Sequence, residues 1–226
     1  MNFKKILENI FKYKSINLLL NIIKYKKHIY SKNPNFVFLP LKGSIIDFKK
    51  NSKIIINNSL KLNFNKIPNS NSKILIQLCE NAKFIIHDSL KIGYNTDILV
   101  KEDALLEIYS GYLNADVEIR CAQHIKIGKN CAIARGVKIL DSDFHSIYFN
   151  DEIINPSKKI TLGDNVWIGT GAMILKGVTV GNNVVIGAGT IVTKDIPNNC
   201  IVAGNPAQII KKNIKWTLKK PPIGNS

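Results

Sequence analysis

The sequence predicts an all-β chain wound into a parallel β-helix, with a short helical segment ahead of it and one loop breaking the winding. Three observations carry that expectation. Aliphatic side chains recur every six residues across the C-terminal half, a segment near residue 52 returns thirty residues later, and the six-residue register breaks once.

The period is clearest at Ile127, Ile133 and Ile139, and again at Leu162, Ile168, Ile174, Val180, Ile186 and Val192. Glycine follows at 128, 163, 169, 181 and 187, and smaller or β-branched residues fill Val166, Ala172, Val178, Val184 and Thr190. A period of six fits neither an α-helix at 3.6 nor a strand at 2. It fits flat, short strands joined by tight corners, with one aliphatic pointing inward per face and glycine easing the crowded or left-handed corners. Three faces then make a coil of about eighteen residues, with backbone hydrogen bonds running from coil to coil. Stacking places Ile127, Leu162 and Val180 in one column, Ile133, Ile168 and Ile186 in a second, and Ile139, Ile174 and Val192 in a third. Burying each such side chain contributes about 1.5–3 kcal/mol.

The same winding is expected in less regular form from residue 36. Ser52–Leu62 (SKIIINNSLKL) returns as Ala82–Ile92 (AKFIIHDSLKI), thirty residues on, and thirty is five sixes. Strands separated by so few residues leave no room for crossover helices. The expected organisation is a helical segment over 1–30, irregular coils over 36–100, regular coils over 101–212 and a tail over 213–226. In the first segment Ile6, Ile10, Tyr13, Leu18, Ile22 and Tyr25 recur at roughly helical spacing among seven lysines, with Glu8 the one acidic residue. Packing on the end of the coils is one expectation for it; lying on an anionic membrane surface is the other.

Composition narrows the function. The 226 residues carry 32 Lys+Arg against 16 Asp+Glu, a formal net charge of +16. That surface attracts anions. Nucleic acid is nevertheless not the expected partner, because neither a basic helix nor an interleaved aromatic platform accompanies the charge. Cys79, Cys121, Cys131 and Cys200 include no C-x-x-C pair and read as scattered thiols of a reducing compartment. The longest uncharged N-terminal run, Ser15 to Ile23, is too short to span a bilayer, and no cleavage site follows an apolar segment. A cytoplasmic protein is expected, with peripheral contact at the inner face of the membrane if the helix touches lipid.

Ile139 and Leu162 are not a multiple of six apart, so residues 141–159 must leave the coil as a loop. Chemistry usually sits on such an excursion from a rigid scaffold. His145 lies there, in Asp141-Ser-Asp-Phe-His-Ser146. An alcohol is a poor nucleophile at neutral pH, and an imidazole can take its proton as it attacks. Asp143 or Asp141 is placed in sequence to orient that ring. His124 is the second candidate base.

Residues 160–197 (ITLGDNVWIGTGAMILKGVTVGNNVVIGAGTIVTKDIP) closely resemble the hexapeptide-repeat acyltransferases, and Ile201–Ala207 (IVAGNPA) resembles the segment that closes their coil. The likeness is strong over 105–212 and weaker back to 36. It is greatest to the galactoside, maltose and serine O-acetyltransferases and to the capsule and lipopolysaccharide O-acetyltransferases. What the resemblance implies is a left-handed parallel β-helix, usually a homotrimer, that acetylates a hydroxyl from acetyl-CoA with the loop histidine, here His145, as base. It further implies that Asn114 meets the acceptor or the developing oxyanion. Thr170, Ala188, Thr193, Lys194 and Lys211 would bind acetyl-CoA, the lysines facing its phosphates, and Trp167 would shape the cleft or pack on a repeat face.

Two departures stand out against that pattern. Ala122 occupies a position that is acidic in the sugar-acetylating relatives, which argues for a larger glycan or a nucleotide- or lipid-linked sugar. Gln208 and Lys211 stand where many relatives carry arginine. No catalytic metal is expected, because His28, His87, His124 and His145 lack the spacing of the related zinc enzymes. The leading expectation is O-acetylation of a bacterial surface-polysaccharide sugar or its precursor. N-acetylation of an amino sugar, or O-acetylation of serine or another small molecule, is the alternative.

Overall fold

The computed structural model describes residues 16–64 and 71–218. Its main body repeats one motif, three short strands separated by corners and then a step to the next coil. Lys53–Ile56, Ser59–Leu62 and Ile74–Leu78 form one such turn. Stacked, the turns make three parallel sheets of seven, nine and seven strands. The first sheet runs from Ile29–Tyr30 to Thr179–Val180, the second from Val37–Pro40 to Gln208–Lys212, and the third from Ser44–Phe48 to Ile191–Val192. Only the last pairing in these sheets, Cys200–Ala203 with Gln208–Lys212, is antiparallel.

The three predicted columns are the observed ones. Ile127 pairs with Leu162 and Leu162 with Val180; Ile133, Ile168 and Ile186 follow one another, as do Ile139, Ile174 and Val192. All nine are buried. Within strands such as Lys53–Ile56, Lys83–Ile86 and Asp97–Val100 burial alternates, so each coil contributes inward aliphatics from every face and the core is one continuous column.

The thirty-residue echo has a different origin from five hexads. Lys53 pairs directly with Lys83 and Ser59 with Ser89, so the echo is one coil apart. That coil is long because the corner between Leu62 and Ile74 is enlarged, part of it outside the described residues. The repeating length then varies: bonded partners stand 22 residues apart at Asn81 and Asp103, 19 at Asp116 and Arg135, 35 across the loop, and 18 at Asp164 and Asn182.

Corner chemistry also divides more finely than the glycine count implies. Left-handed backbone at one corner falls on asparagine, at Asn165, Asn183 and Asn199 with φ of 56°, 55° and 59°, a conformation that asparagine tolerates. Their side chains form a ladder, Asn165 donating to Asn183 at 2.8 Å and Asn183 to Asn199 at 3.0 Å. Much of the asparagine content is therefore structural. Gly163 is required for a separate reason: an added Cβ would stand 2.8 Å from the Gly181 carbonyl oxygen in the next coil.

Helix Ile16–Tyr25 and the 3-10 turn Lys26–His28 close the N-terminal end. Ile22 and Tyr25 are buried against the first coil. The Tyr25 hydroxyl donates to the Ser44 carbonyl at 3.4 Å and accepts from Ile46 N at 3.2 Å, and Asn21 donates to the Pro40 carbonyl at 3.1 Å. The helix thus covers the start of the coil, where strand edges would otherwise invite association. The expectations for Ile6, Ile10 and Tyr13 fall outside the described residues. Among the described residues no helix is long and apolar enough to cross a membrane.

Candidate active site

The excursion leaves the third sheet after Lys138–Leu140 and rejoins the first at Ile160–Leu162. Its two ends are tied together. Lys158 N donates to the Asp141 carbonyl at 2.9 Å, and Ser157 Oγ to Ser142 Oγ at 2.9 Å. Between them lies an antiparallel hairpin, Tyr148–Phe149 against Glu152–Ile153. Asn150 and Asp151 turn it with φ of 49° and 62°, as a two-residue turn with both central residues left-handed requires. The sequence reading treats this segment as an open loop; the Asn-Asp pair is the signal that marks the turn.

Neither aspartate hydrogen-bonds the His145 ring. Asp141 is fully buried at the root of the loop. Its Oδ1 accepts from Ala122 N at 2.6 Å and its Oδ2 from Gln123 N and His124 N, both at 2.9 Å. It is an anchor: a carboxylate seated in a nest of backbone amides. Asp143 accepts instead from Lys176 Nζ and from Asn155 Nδ2, the latter at 2.8 Å. The Lys176 ammonium and then the Asn155 amide hold the Asp143 carboxyl below its ordinary value. His145 itself is exposed, and its backbone carbonyl accepts from Asn155 Nδ2 at 2.9 Å. Sequence reasoning missed Asn155 and Lys176, because an asparagine before proline and a lysine in a corner carry no motif of their own.

Beside the loop root a pocket of about 540 Å³ opens on the outer face of the third sheet, lined by Leu99, Arg120, Leu140, Asp143, Phe144 and Lys176 among others. Arg120 spans its floor, donating to Asp97 at 2.8 Å and lying 3.1 Å from Glu118. The mixture of apolar wall, fixed cation and fixed carboxylates suits a polyhydroxylated ligand.

The remaining predicted residues fall in three places. Asn114, Thr170 and Ala188 occupy one corner column, between the second and third sheets. Asn114 N donates to the Ile133 carbonyl at 2.8 Å, and Gly189 N to the Thr170 carbonyl at 2.9 Å. Asn114 Oδ1 accepts from Ala115 N at 2.8 Å. Thr193 and Lys194 follow the last strand of the third sheet, exposed at the corner on its other side. Lys211 lies on the closing antiparallel strand, opposite Ile201. The third sheet therefore separates His145 from the Asn114–Thr170–Ala188 corner within one chain.

That corner suits an extended thioester ligand. Thr170 and Ala188 are exposed, and a Cβ added at Gly171 or Gly189 would meet nothing within 4 Å, so the corner is open at these two coils. Trp167 lies on the outer face of the second sheet, its ring 5.9 Å from that of Trp216, whose Nε1 donates to the Asn165 carbonyl at 2.6 Å. The C-terminal segment is thus packed beside it.

His124, the second candidate base, lies elsewhere. On the first sheet its Nε2 is 2.8 Å from Glu107 Oε2, while His87 Nε2 is 3.1 Å from Glu107 Oε1. One carboxylate bridges two imidazoles. Among the described residues no group of three or more His, Cys, Asp or Glu side chains is placed to hold a metal ion.

Residues 159–194 match the family described as bacterial transferase hexapeptide, six repeats. The chain is similar to the polysialic acid O-acetyltransferase of Escherichia coli O1:K1 / APEC, 50% identical over 41% of this chain and 31% of that protein. It is similar to the polysialic acid O-acetyltransferase of Neisseria meningitidis, 48% identical over 47% of this chain and 51% of that one. The match therefore spans about half or less of the length of these curated relatives. A solved structure, the polysialic acid O-acetyltransferase OatWY, is 30% identical and superposes with a TM-score of 0.62 over 87% of this chain and 94% of that one. With the stacked six-residue columns and a likeness that runs over nearly all of that structure, this chain belongs to the hexapeptide-repeat acetyltransferase family, among relatives of the surface-polysaccharide O-acetyltransferases.

Proposed function

We propose that the chain is an acetyl-CoA-dependent O-acetyltransferase acting on a hydroxyl of a bacterial surface-polysaccharide sugar or its precursor, with His145 as general base. The observation that carries this reading is the exposed His145 on the long excursion between Leu140 and Ile160, pinned at both ends, whose preceding residues Asp143 and Phe144 line a polar–apolar pocket. The relatives named polysialic acid O-acetyltransferase support the acceptor class.

Acetyl-CoA, when bound, supplies the acetyl thioester. His145 accepts the proton of the acceptor hydroxyl as its oxygen attacks, and returns it to the departing sulfur. The open corner at Thr170 and Ala188 holds the extended arm, with Lys211 meeting phosphate charge, and Thr193 and Lys194, on the His145 side of the third sheet, meet it from the copy that supplies the base. Asn114 donates its amide towards the carbonyl oxygen as negative charge builds there.

Because the third sheet separates His145 from that corner, the complete site takes the corner from a second copy in a cyclic trimer. Exposed Phe144, Ile147, Tyr148, Phe149, Ile153 and Ile154 on the loop support such a contact. The helix at the N-terminal end leaves Leu20 and Ile23 exposed beside Lys24, Lys26 and Lys27, which supports peripheral attachment at the inner face of the cytoplasmic membrane.

The test is release of free CoA thiol over a panel of sialylated, neutral and nucleotide-linked sugars, amino sugars and serine. His145→Ala is expected to keep acetyl-CoA affinity and lose about 10²–10⁴-fold in turnover. Full activity in that variant, or serine as the best acceptor, overturns the reading. A monomer in sedimentation at micromolar concentration overturns the shared site.

A further inference from the structure

We propose that Asn155 is the positioning residue for His145, with Lys176 fastening it to the coil; this rests on His145 being the base. The Asn155 side chain engages three alternate residues of the loop. Its Oδ1 accepts from Ile147 N at 2.6 Å, and its Nδ2 donates to the His145 carbonyl at 2.9 Å and to Asp143 Oδ2 at 2.8 Å. The amide therefore grips the backbone of the base itself and that of a residue two positions beyond it. A carboxylate could not do this, because the contact needs donor and acceptor on one planar group.

Lys176 completes the arrangement from the coil above. Its ammonium donates to Asp143 Oδ2 and to the Asn155 carbonyl, the latter at 3.0 Å. It follows the strand Met173–Leu175, whose register with Lys138–Leu140 is fixed by Ile139 and Ile174. Rigidity thus passes from the core column, through Lys176 and Asn155, to His145.

The loop needs such a hold. Phe144, the residue before the base, has φ of 59°, a left-handed conformation that is strained for a bulky side chain and persists only where neighbours over-determine it. Phe144 N donates to Ser142 Oγ at 3.0 Å, which fixes one side of that residue; Asn155 fixes the other. Among the described residues no protein hydrogen bond holds the His145 imidazole itself, so its aim depends on the backbone beneath it. A misplacement of about 1 Å at a reacting group can cost roughly 10²-fold in rate.

The experiment is steady-state kinetics on full-length Asn155→Ala, Asn155→Asp, Lys176→Met and Lys176→Arg, with His145→Ala and the Asn155→Ala/His145→Ala pair as references. The acceptor is the best substrate from the panel. Asn155→Ala and Asn155→Asp are expected to lower kcat by about 10–10²-fold with the KM for acetyl-CoA within twofold. Lys176→Met should do the same more weakly, and Lys176→Arg should restore activity. Adding Asn155→Ala to His145→Ala should cost nothing further, since Asn155 acts through the base. The proposal fails if Asn155→Ala keeps kcat within twofold while His145→Ala is inactive, or if the pair loses the full sum of both effects. If His145→Ala is itself active, the base assignment fails first, and a separate loss in Asn155→Ala then identifies another role. Lys176→Met, on the coil rather than in the loop, supplies the same readout should Asn155→Ala not fold.

Discussion

Replacing Asp141 by asparagine keeps the volume of a fully buried side chain and changes one oxygen to an amide. Three backbone N–H groups converge on the native carboxylate, one on Oδ1 and two on Oδ2. With the asparagine oxygen in the Oδ2 position, Gln123 and His124 keep their acceptor and Ala122 faces an NH2 group. The opposite flip leaves two donors unmatched. The better orientation therefore loses one hydrogen bond, about 1–3 kcal/mol, and weakens two more from the 1.5–3 kcal/mol range of charged acceptors to about 0.5–1.5 each. Partial exposure of residues 122–124 lets water recover some of this. A net loss of about 2–4 kcal/mol follows, and Asp141→Ala, which strips all three amides, should lose more. Urea unfolding followed by far-UV circular dichroism at neutral pH measures it, with an unchanged slope showing that the same surface unfolds. A loss below about 0.5 kcal/mol in the asparagine variant would refute the reasoning, because an anchor of this kind cannot be neutral to its charge.

Two further outcomes follow from particular groups. Glu107 is pushed up by burial but pulled down further by the imidazole donors of His124 and His87, so its carboxyl titrates below the ordinary 4.5. A depressed carboxyl stabilises the fold above its unfolded value and loses that contribution as pH falls through the folded one. The stability gap between the native chain and Glu107→Gln should be full at pH 6 and shrink below about 4.5; a gap that stays constant to pH 3 refutes it. In flotation with anionic vesicles at low salt, the full-length chain should rise, and a Lys24/Lys26/Lys27→Gln variant should rise less, since each lysine near the surface contributes about 1 kcal/mol. Equal flotation refutes the lysine contribution, and none by either shows that the helix serves only the fold.

The coil was legible because its energetics are periodic. Each buried aliphatic meets its counterpart in the next coil, so Ile133, Ile168 and Ile186 announce their contacts by spacing alone. The echo between Ser52–Leu62 and Ala82–Ile92 was legible as repetition but not as length. Corner size varies outside the column, and an enlarged corner changes the count without disturbing the pairs Lys53–Lys83 and Ser59–Ser89. The Asn165–Asn183–Asn199 ladder lay hidden in plain composition for a related reason. Asparagine is common in this chain, and only the left-handed φ at those positions separates a structural residue from compositional bias.

The loop was legible as a place and much less so as a mechanism. A break in register names where the backbone departs, and His145 is the one histidine in it. Which side chain holds that backbone depends on contacts across the loop and from the next coil, and these have no period. Asp141 and Asp143 differ by two positions, yet one is sealed among amides of residues 122–124 and the other is claimed by Lys176 and Asn155. The choice was made by partners up to 33 residues away. Ala122 illustrates the same point from the other side. Its side chain lacks the acid that the family resemblance implies at that position, while its backbone amide seats the Asp141 carboxylate. An acidic side chain there would stand next to that buried charge, so the departure at residue 122 and the anchor at residue 141 constrain each other. Ala122→Asp should therefore loosen the root of the loop, lowering stability in the same urea unfolding that measures Asp141→Asn; an unchanged midpoint would show that the two positions are independent.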